Sequence, residues 1–401
     1  MRMSISKFHI NKVIRCSLTV MLSSILLFAG SAPAQAAGKI NAQAAGQTAA
    51  NNNAQAVQEA DATICMVGDV LLHDRVTASG KKSDGTYNYD ALFAHVTEMT
   101  QGTDLAIANQ EVILGGQELG ISGYPTFNGP YEVGDALADA GFDVICHGTN
   151  HALDRGAAGI KNCINFWNTN YPQISVLGIH DSAASQNTIC IRDVKGIKVA
   201  VLNYTFSTNG IALPSGMPYA VDMLNESKVI SDLKKAEANA DFTIVCPHWG
   251  TEYTHGTTAY QTKWAKIFAD NGADLVIGTH PHVIEPIGTV DKPDGTKMPV
   301  YYSIGNFVNA TSGKGSGTAD RMLGAMARIT ISKTAAGTVT VKSYDALPLI
   351  SHVGTGFGGV TVYPMSDYSE ALAQQNEIRK QDGSFSLKYC QTLWNKVMLG
   401  K

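Results

Sequence analysis

No long run of lysine or arginine occurs in this 401-residue chain, and its formal net charge is -4. Binding a phosphate backbone needs clustered cations, so the sequence argues against nucleic acid as a main partner. A polyanionic substrate would have to find positive charge locally, in metal ions. The chain also lacks an apolar stretch of clear membrane-spanning length with a charged stop-transfer flank. Its longest apolar segment, from about Cys16 to Gly30, follows Arg2, Lys7, Lys12 and Arg15 and precedes Ala34-Gln35-Ala36, a signal-peptidase pattern. This predicts a signal peptide over residues 1–36 and an extracellular or cell-envelope location, with an uncleaved N-terminal anchor as the alternative. Large apolar residues then almost vanish between Ala37 and Ala60, where Ala, Gln, Asn and Gly dominate. Such a segment cannot offset its ordering entropy, and a flexible linker is expected over 37–60. Cysteines with zinc-type spacing are absent too. Cys65, Cys146 and Cys246 sit inside apolar runs and are expected as buried free thiols, whereas a bridge among Cys163, Cys190 and Cys390 stays open.

What remains is enough for one large α/β domain, with an ordinary 44% of hydrophobic residues. Short apolar runs at Ala62 to Val67, Leu105 to Ala108, Val144 to Cys146, Thr243 to Cys246 and Leu275 to Ile277 have the character of buried parallel strands. Helical spacing precedes several of them, around Tyr131 to Ala140, Asn225 to Asn239 and Trp264 to Phe268. Two of these helices end at Gly141 and Asn271-Gly272, where left-handed caps belong. Further strands are expected at Lys198 to Tyr204 and Val300 to Ile304, and a hairpin around Ala336-Gly337. Parallel central strands, antiparallel outer strands and packed helices follow.

Each of the five runs delivers a metal-ligand residue type within four positions of its end: Asp69, Glu111, Asn150 with His151, His248, and His280 with His282. Ligands of open α/β sheets gather beyond the carboxyl ends of the strands, so one sheet edge collects them. Gly68 is expected to let the chain turn sharply before Asp69. His280-Pro281-His282 cannot share a helical face but can address neighbouring metal positions from a turn. Glu111 is a candidate bridging carboxylate, with Asn109 as its near alternative. His151 is suited to protonate a leaving group. A mixed oxygen and nitrogen set suits one or two divalent ions of Mn, Fe or Zn better than Ca or Mg. Such ions would support phosphoester hydrolysis.

Seven motifs in order carry a family resemblance: Gly68-Asp69, Asn109-Gln110-Glu111, Phe127-Asn128-Gly129-Pro130, Thr149 to Gly156, Pro247 to Tyr253, Gly278 to His282 and Ser303 to Phe307. Together they resemble the CapA family of poly-γ-glutamate capsule biosynthesis proteins, whose domain is similar to calcineurin-like metallophosphoesterases. The resemblance implies a four-layer αββα sandwich with mixed sheets over residues 61–349, followed by a loop and helical extension over 350–401. It implies Asp69, Glu111, Asn150, His248, His280 and His282 as metal ligands and His151 as the acid. Trp249 and Glu252 would line or support the pocket, Asp154 would hold His151, and Asn306 would contact substrate. The superfamily's Asp-x-His motif is broken, because Leu71 stands two residues after Asp69. The implied function is an exported component of capsule or envelope-polymer production with metal-dependent hydrolysis, acting on an anionic polymer or phosphoester near membrane synthase components. The alternatives are a secreted phosphatase or phosphodiesterase outside capsule production and a non-catalytic synthase scaffold.

Overall fold

The computed structural model describes residues 59–401. The expected signal peptide and nearly all of the expected linker lie outside the described residues. The chain first lays down β1 (Ala60–Val70), β2 (Leu105–Asn109), β3 (Val144–Cys146) and β4 (Ser175–Leu177). It then builds a second sheet from β5 (Cys190–Val194), β6 (Ile197–Thr205), β7 (Phe242–His248), β8 (Leu275–Ile277), β9 (Ile287–Asp291) and β10 (Lys297–Tyr301). Finally β11 (Asn306–Val308), β12 (Leu323–Lys333), β13 (Val339–Val353) and β14 (Val360–Pro364) return to the first sheet.

The first sheet runs β14-β13-β12-β1-β2-β3-β4, with β11 also paired to β1, and the second runs β5-β6-β7-β8-β10-β9. Both are mixed. β1 to β4 are parallel and β12 to β14 antiparallel, while β6, β7, β8 and β10 are parallel between the antiparallel edges β5 and β9. All five apolar runs form strands of this parallel set, as their composition predicts.

The period of two along β6 sets the layers. Val199 and Val201 share a core with β1 to β3, whereas Ala200, Leu202 and Tyr204 pack with Val229, Leu233 and Ala236 of the helix Glu226–Asn239 and with Trp264 and Phe268 of the helix Ala259–Asp270. The helices Glu132–Asp139 and Gly156–Asn170 place Val133, Leu137, Ile160 and Trp167 in the core of the first sheet. This is the expected α/β architecture of two mixed sheets with helices packed on them. Gly141 and Gly272 end their helices at φ of 89° and 107°, a region open to glycine without a Cβ penalty.

Some boundaries differ from the sequence expectation. β10 stops at Tyr301 because Ser303 donates to the Val283 carbonyl and the chain turns at Gly305. The limit expected at 349 falls inside β13, which continues to Val353 and pairs with β14. Residues 350–401 therefore add a strand to the first sheet, and their last helix, Leu387–Met398, buries Cys390 and Val397 in its core. Among the described residues all six cysteines are free thiols.

Candidate metal centre

The parallel strands of both sheets end at a common edge, and the loops leaving them converge there. Asp69 lies near the end of β1, opposite Asn109 of β2 on one side and Asn306 of β11 on the other. The β1–β11 approach explains Gly68 differently from the expected sharp turn. Gly68 lies within the strand, and a Cβ there would stand 1.9 Å from the Gly305 carbonyl oxygen, which accepts from the Asp69 N–H. On the second sheet, a bridge between His248 and Thr279 aligns the β7 and β8 exits. Non-glycine residues with positive φ gather here: His280 at 102°, His282 at 59°, Tyr253 at 63° and Asn209 at 53°. Each such conformation costs about 1–3 kcal/mol and persists only where surrounding contacts impose it.

Asp69, Glu111 and His248 are fully buried, and Asn150, His280 and His282 nearly so. The Glu111 carboxylate stands between two triads of mutually close ligand atoms, one with His248 and His280 and the other with Asp69 and His282. Its Oε1 is 3.8 Å from His248 Nε2 and 3.6 Å from His282 Nε2. Hydrogen bonds on the opposite ring nitrogens orient both imidazoles, His248 Nδ1 lying 3.0 Å from Thr279 Oγ1 and His282 Nδ1 3.1 Å from Asn306 Oδ1. Asn150 Oδ1 lies 2.9 Å from His248 Nε2. Asn109 donates to Asp69 Oδ1 at 2.8 Å, and the other Asp69 oxygen is 3.2 Å from His282 Nδ1. A third triad, Glu252 with His280 and His282, lies toward solvent.

The electrostatics are those of a site built around positive charge. Among the described residues, both Glu111 oxygens and His280 Nδ1 are buried without a hydrogen-bond partner. Burial pushes the Glu111 carboxyl well above its usual range, with the His282 charge working against it. Burial also drives His248 and His280 well below the usual imidazole range, helped by the neighbouring imidazoles. For His282 burial opposes protonation, but Glu111 and Asp69 outweigh it and raise the imidazole to about 10.

Beside the cluster opens a cleft of about 580 Å³, lined in part by His73, Asn150, His151, Asn209, Glu252, Tyr253 and Arg321. Asp154 Oδ2 lies 2.7 Å from His151 Nδ1 and also accepts from the Phe127 N–H at 2.7 Å. The Phe127 ring meets the imidazole edge-on at 4.7 Å. Assigning the Nδ1 proton to the bond with Asp154 leaves Nε2 as the ring's acceptor nitrogen.

The fold brings Asp69, Glu111, Asn150, His248, His280 and His282 together, with His151 and Asp154 on the adjoining cleft wall. Of the supporting residues only Asn306 is placed otherwise than expected. Asn306 does not line the cleft; it is buried behind the cluster, where it holds His282. Trp249 is fully buried, donates to the Tyr302 carbonyl and stacks on Phe268, so it buttresses the site from behind. Glu252 is exposed at the cleft rim. His147 accepts from Trp167 at 3.1 Å and belongs to the packing. Arg321 and Asn209 were not singled out by sequence motifs, since neither lies beside a ligand residue in the chain.

Residues 63–311 match the family described as bacterial capsule synthesis protein PGA_cap. The chain is 29% identical over 256 residues to "Capsule biosynthesis protein CapA" of Bacillus anthracis, covering 61% of this chain and 59% of that protein. It is 34% identical over 173 residues to "PGA biosynthesis protein CapA" of Bacillus subtilis (strain 168), covering 43% of this chain and 44% of that one. The chain thus spans about half the length of these curated relatives. Among solved structures, it is similar to a 5'-nucleotidase precursor from Thermus thermophilus at 14% identity and TM-score 0.45, covering 72% of this chain and 54% of that one. Because the family match extends through residues 63–311, well over half of the chain, this protein belongs to the bacterial capsule synthesis PGA_cap family.

Proposed function

We propose that this chain is an exported metal-dependent hydrolase of poly-γ-glutamate capsule or envelope-polymer production, acting on an anionic polymer or a phosphoester beside membrane synthase components. Family membership and the printed names of two relatives support the capsule setting. Export is inferred from the leader pattern of residues 1–36. The observation that carries the chemistry is Glu111, a wholly buried carboxylate with neither oxygen hydrogen-bonded and with His248, His280, His282 and Asp69 around it.

Burying unpaired polar groups is costly, and a cation relieves that cost at this cluster. Divalent Mn, Fe or Zn fits a set of imidazole, carboxylate and amide donors. Asp69, Glu111, Asn150, His248, His280 and His282 would hold it. A bound ion of this kind supplies Lewis acidity and lowers the pKa of its water. Leu71 is buried in apolar surroundings, so the end of β1 contributes Asp69 alone. His151 is the proton carrier of the cleft: Asp154 fixes its ring through Nδ1, leaving Nε2 to pass a proton to a leaving oxygen. Phe127 keeps the ring from rotating, and the Phe127 N–H bond ties Asp154 to the same segment.

The test is a hydrolysis screen of the metal-loaded protein against phosphate monoesters, phosphodiesters and poly-γ-glutamate, scoring released phosphate, the alcohol freed from diesters, and newly freed amine. Release that is lost in His151→Ala with its metal retained supports the reading. Release from small phosphoesters alone would favour a phosphatase outside capsule production. No release from any substrate at full metal occupancy would overturn hydrolysis in favour of a synthase scaffold.

A further inference from the structure

Beside the imidazole cluster, the cleft wall carries the guanidinium of Arg321. Arg321 is half-buried and lies ten residues beyond the end of the family match. Its Cζ sits 3.7 Å above the centroid of the Tyr253 ring, one of the residues held at positive φ. Its Nε is buried with no hydrogen-bond partner among the described residues, and Nη1 makes one long contact, 3.4 Å to Thr311 Oγ1. Among the described residues no carboxylate is ion-paired with it. The neighbouring acid in the chain, Asp320, feels the Arg321 charge but is not ion-paired with it; its oxygens bond His255 at 3.0 Å and the Tyr389 hydroxyl. Arginine in folded proteins normally satisfies its planar fork with an anion or with carbonyl groups, so an unpaired fork in a cleft is an offer of binding.

The backbone fixes this offer relative to the metal cluster. The Asn306 amide donates both to the His282 carbonyl and to the Arg321 carbonyl at 3.0 Å, while its oxygen meets His282 Nδ1. Asn309 adds a longer contact to the same Arg321 carbonyl. The adjacent wall is held from the C-terminal segment, where Gln381 donates to the Thr311 and Gly313 carbonyls at 2.7 and 2.6 Å. Thr126, Asn209, Thr311, Ser312 and Gly313 line the cleft with neutral groups, while its two acids are Asp154, held by His151, and Glu252, grouped with His280 and His282. None of the five neutral residues competes with an incoming anion for the guanidinium.

We propose that Arg321 is a specificity-determining residue that clamps an oxyanion of the substrate, a carboxylate or a phosphate, while a neighbouring group of the same substrate faces the cluster. The assignment rests on the hydrolase reading above. The aromatic face of Tyr253 holds the guanidinium plane so that one edge remains for bidentate pairing. A lysine there would keep the charge and lose the fork.

The test is titration calorimetry on the metal-loaded full chain with glutarate and, separately, inorganic phosphate, for the wild type, Arg321→Gln and Arg321→Lys. Metal content and the unfolding midpoint serve as controls. Arg321→Gln is expected to weaken one probe about tenfold to a hundredfold with metal content unchanged, and Arg321→Lys to fall between. The probe affected identifies the oxyanion. Equal binding of both probes by Arg321→Gln and wild type overturns the assignment, as does failure of metal-loaded wild type to bind either. If the wild type takes up no metal, the hydrolase reading fails by itself; the same comparison on the metal-free protein then decides Arg321, which must still weaken a probe.

Discussion

Glu111→Gln separates what the cluster does for stability from what it does for a cation. The substitution keeps the shape of a fully buried side chain and removes its charge. In the metal-free protein, Glu111 Oε1 lies 3.6 Å from His282 Nε2. At an effective dielectric of about 20, opposite unit charges at such a distance attract by about 4–5 kcal/mol. Against that stands the desolvation of a buried carboxylate with no hydrogen bond, itself several kcal/mol. The two nearly cancel, so metal-free Glu111→Gln should unfold within about 2 kcal/mol of wild type. For a dication the attraction doubles while the amide offers only a dipole, and the affinity should fall by at least about 4 kcal/mol, roughly a thousandfold. Elemental analysis and metal titration measure the second quantity, and urea unfolding of chelator-treated protein measures the first. Metal affinity within tenfold of wild type would refute the placement of Glu111 at the cation. A metal-free variant destabilised by more than about 4 kcal/mol would refute the balance of attraction and desolvation.

Three further outcomes are expected. Burial raises the Glu285 carboxyl from 4.5 to about 8, against the pull of Gln261, so the folded state retains a proton that the unfolded chain has lost. Stability should therefore decline as pH rises from about 4.5 to 8, and Glu285→Gln should gain up to about 3 kcal/mol on wild type between pH 4.5 and 7, measured by urea titration at each pH. His151→Ala should lower turnover about 10²- to 10⁴-fold with metal content unchanged, and Asp154→Asn should lower it in the same direction; metal loss in step with activity would instead make them ligand supports. Gly68→Ala should cost at least about 2 kcal/mol and weaken metal binding, since its Cβ would lie 1.9 Å from the Gly305 oxygen and push Asp69 off its neighbour strand. An unchanged midpoint would show that β1 and β11 separate freely.

The sequence alone determined which residues belong to strands and which chemistry stands at their ends. Val144 to Cys146 and Leu275 to Ile277 are strands at those very residues, because continuous apolar runs between turn residues leave little else to form in a buried sheet. The ligand types follow from the same positions, as a parallel strand must release its next residues at one edge. Local pattern does not encode which distant segments meet. The contact between Asp69 and the His280 N–H joins positions 211 residues apart, and only the packing of two sheets decides it. The same packing placed Asn306 behind His282 rather than in the cleft, and made Gly68 a point of close approach rather than a turn. It also added β14 to the first sheet from a segment whose five residues show only a short alternation of burial. Arg321 was invisible in the chain because its meaning is that no carboxylate among the described residues is ion-paired with it, and a one-dimensional pattern carries no record of which pairs a fold leaves unmade.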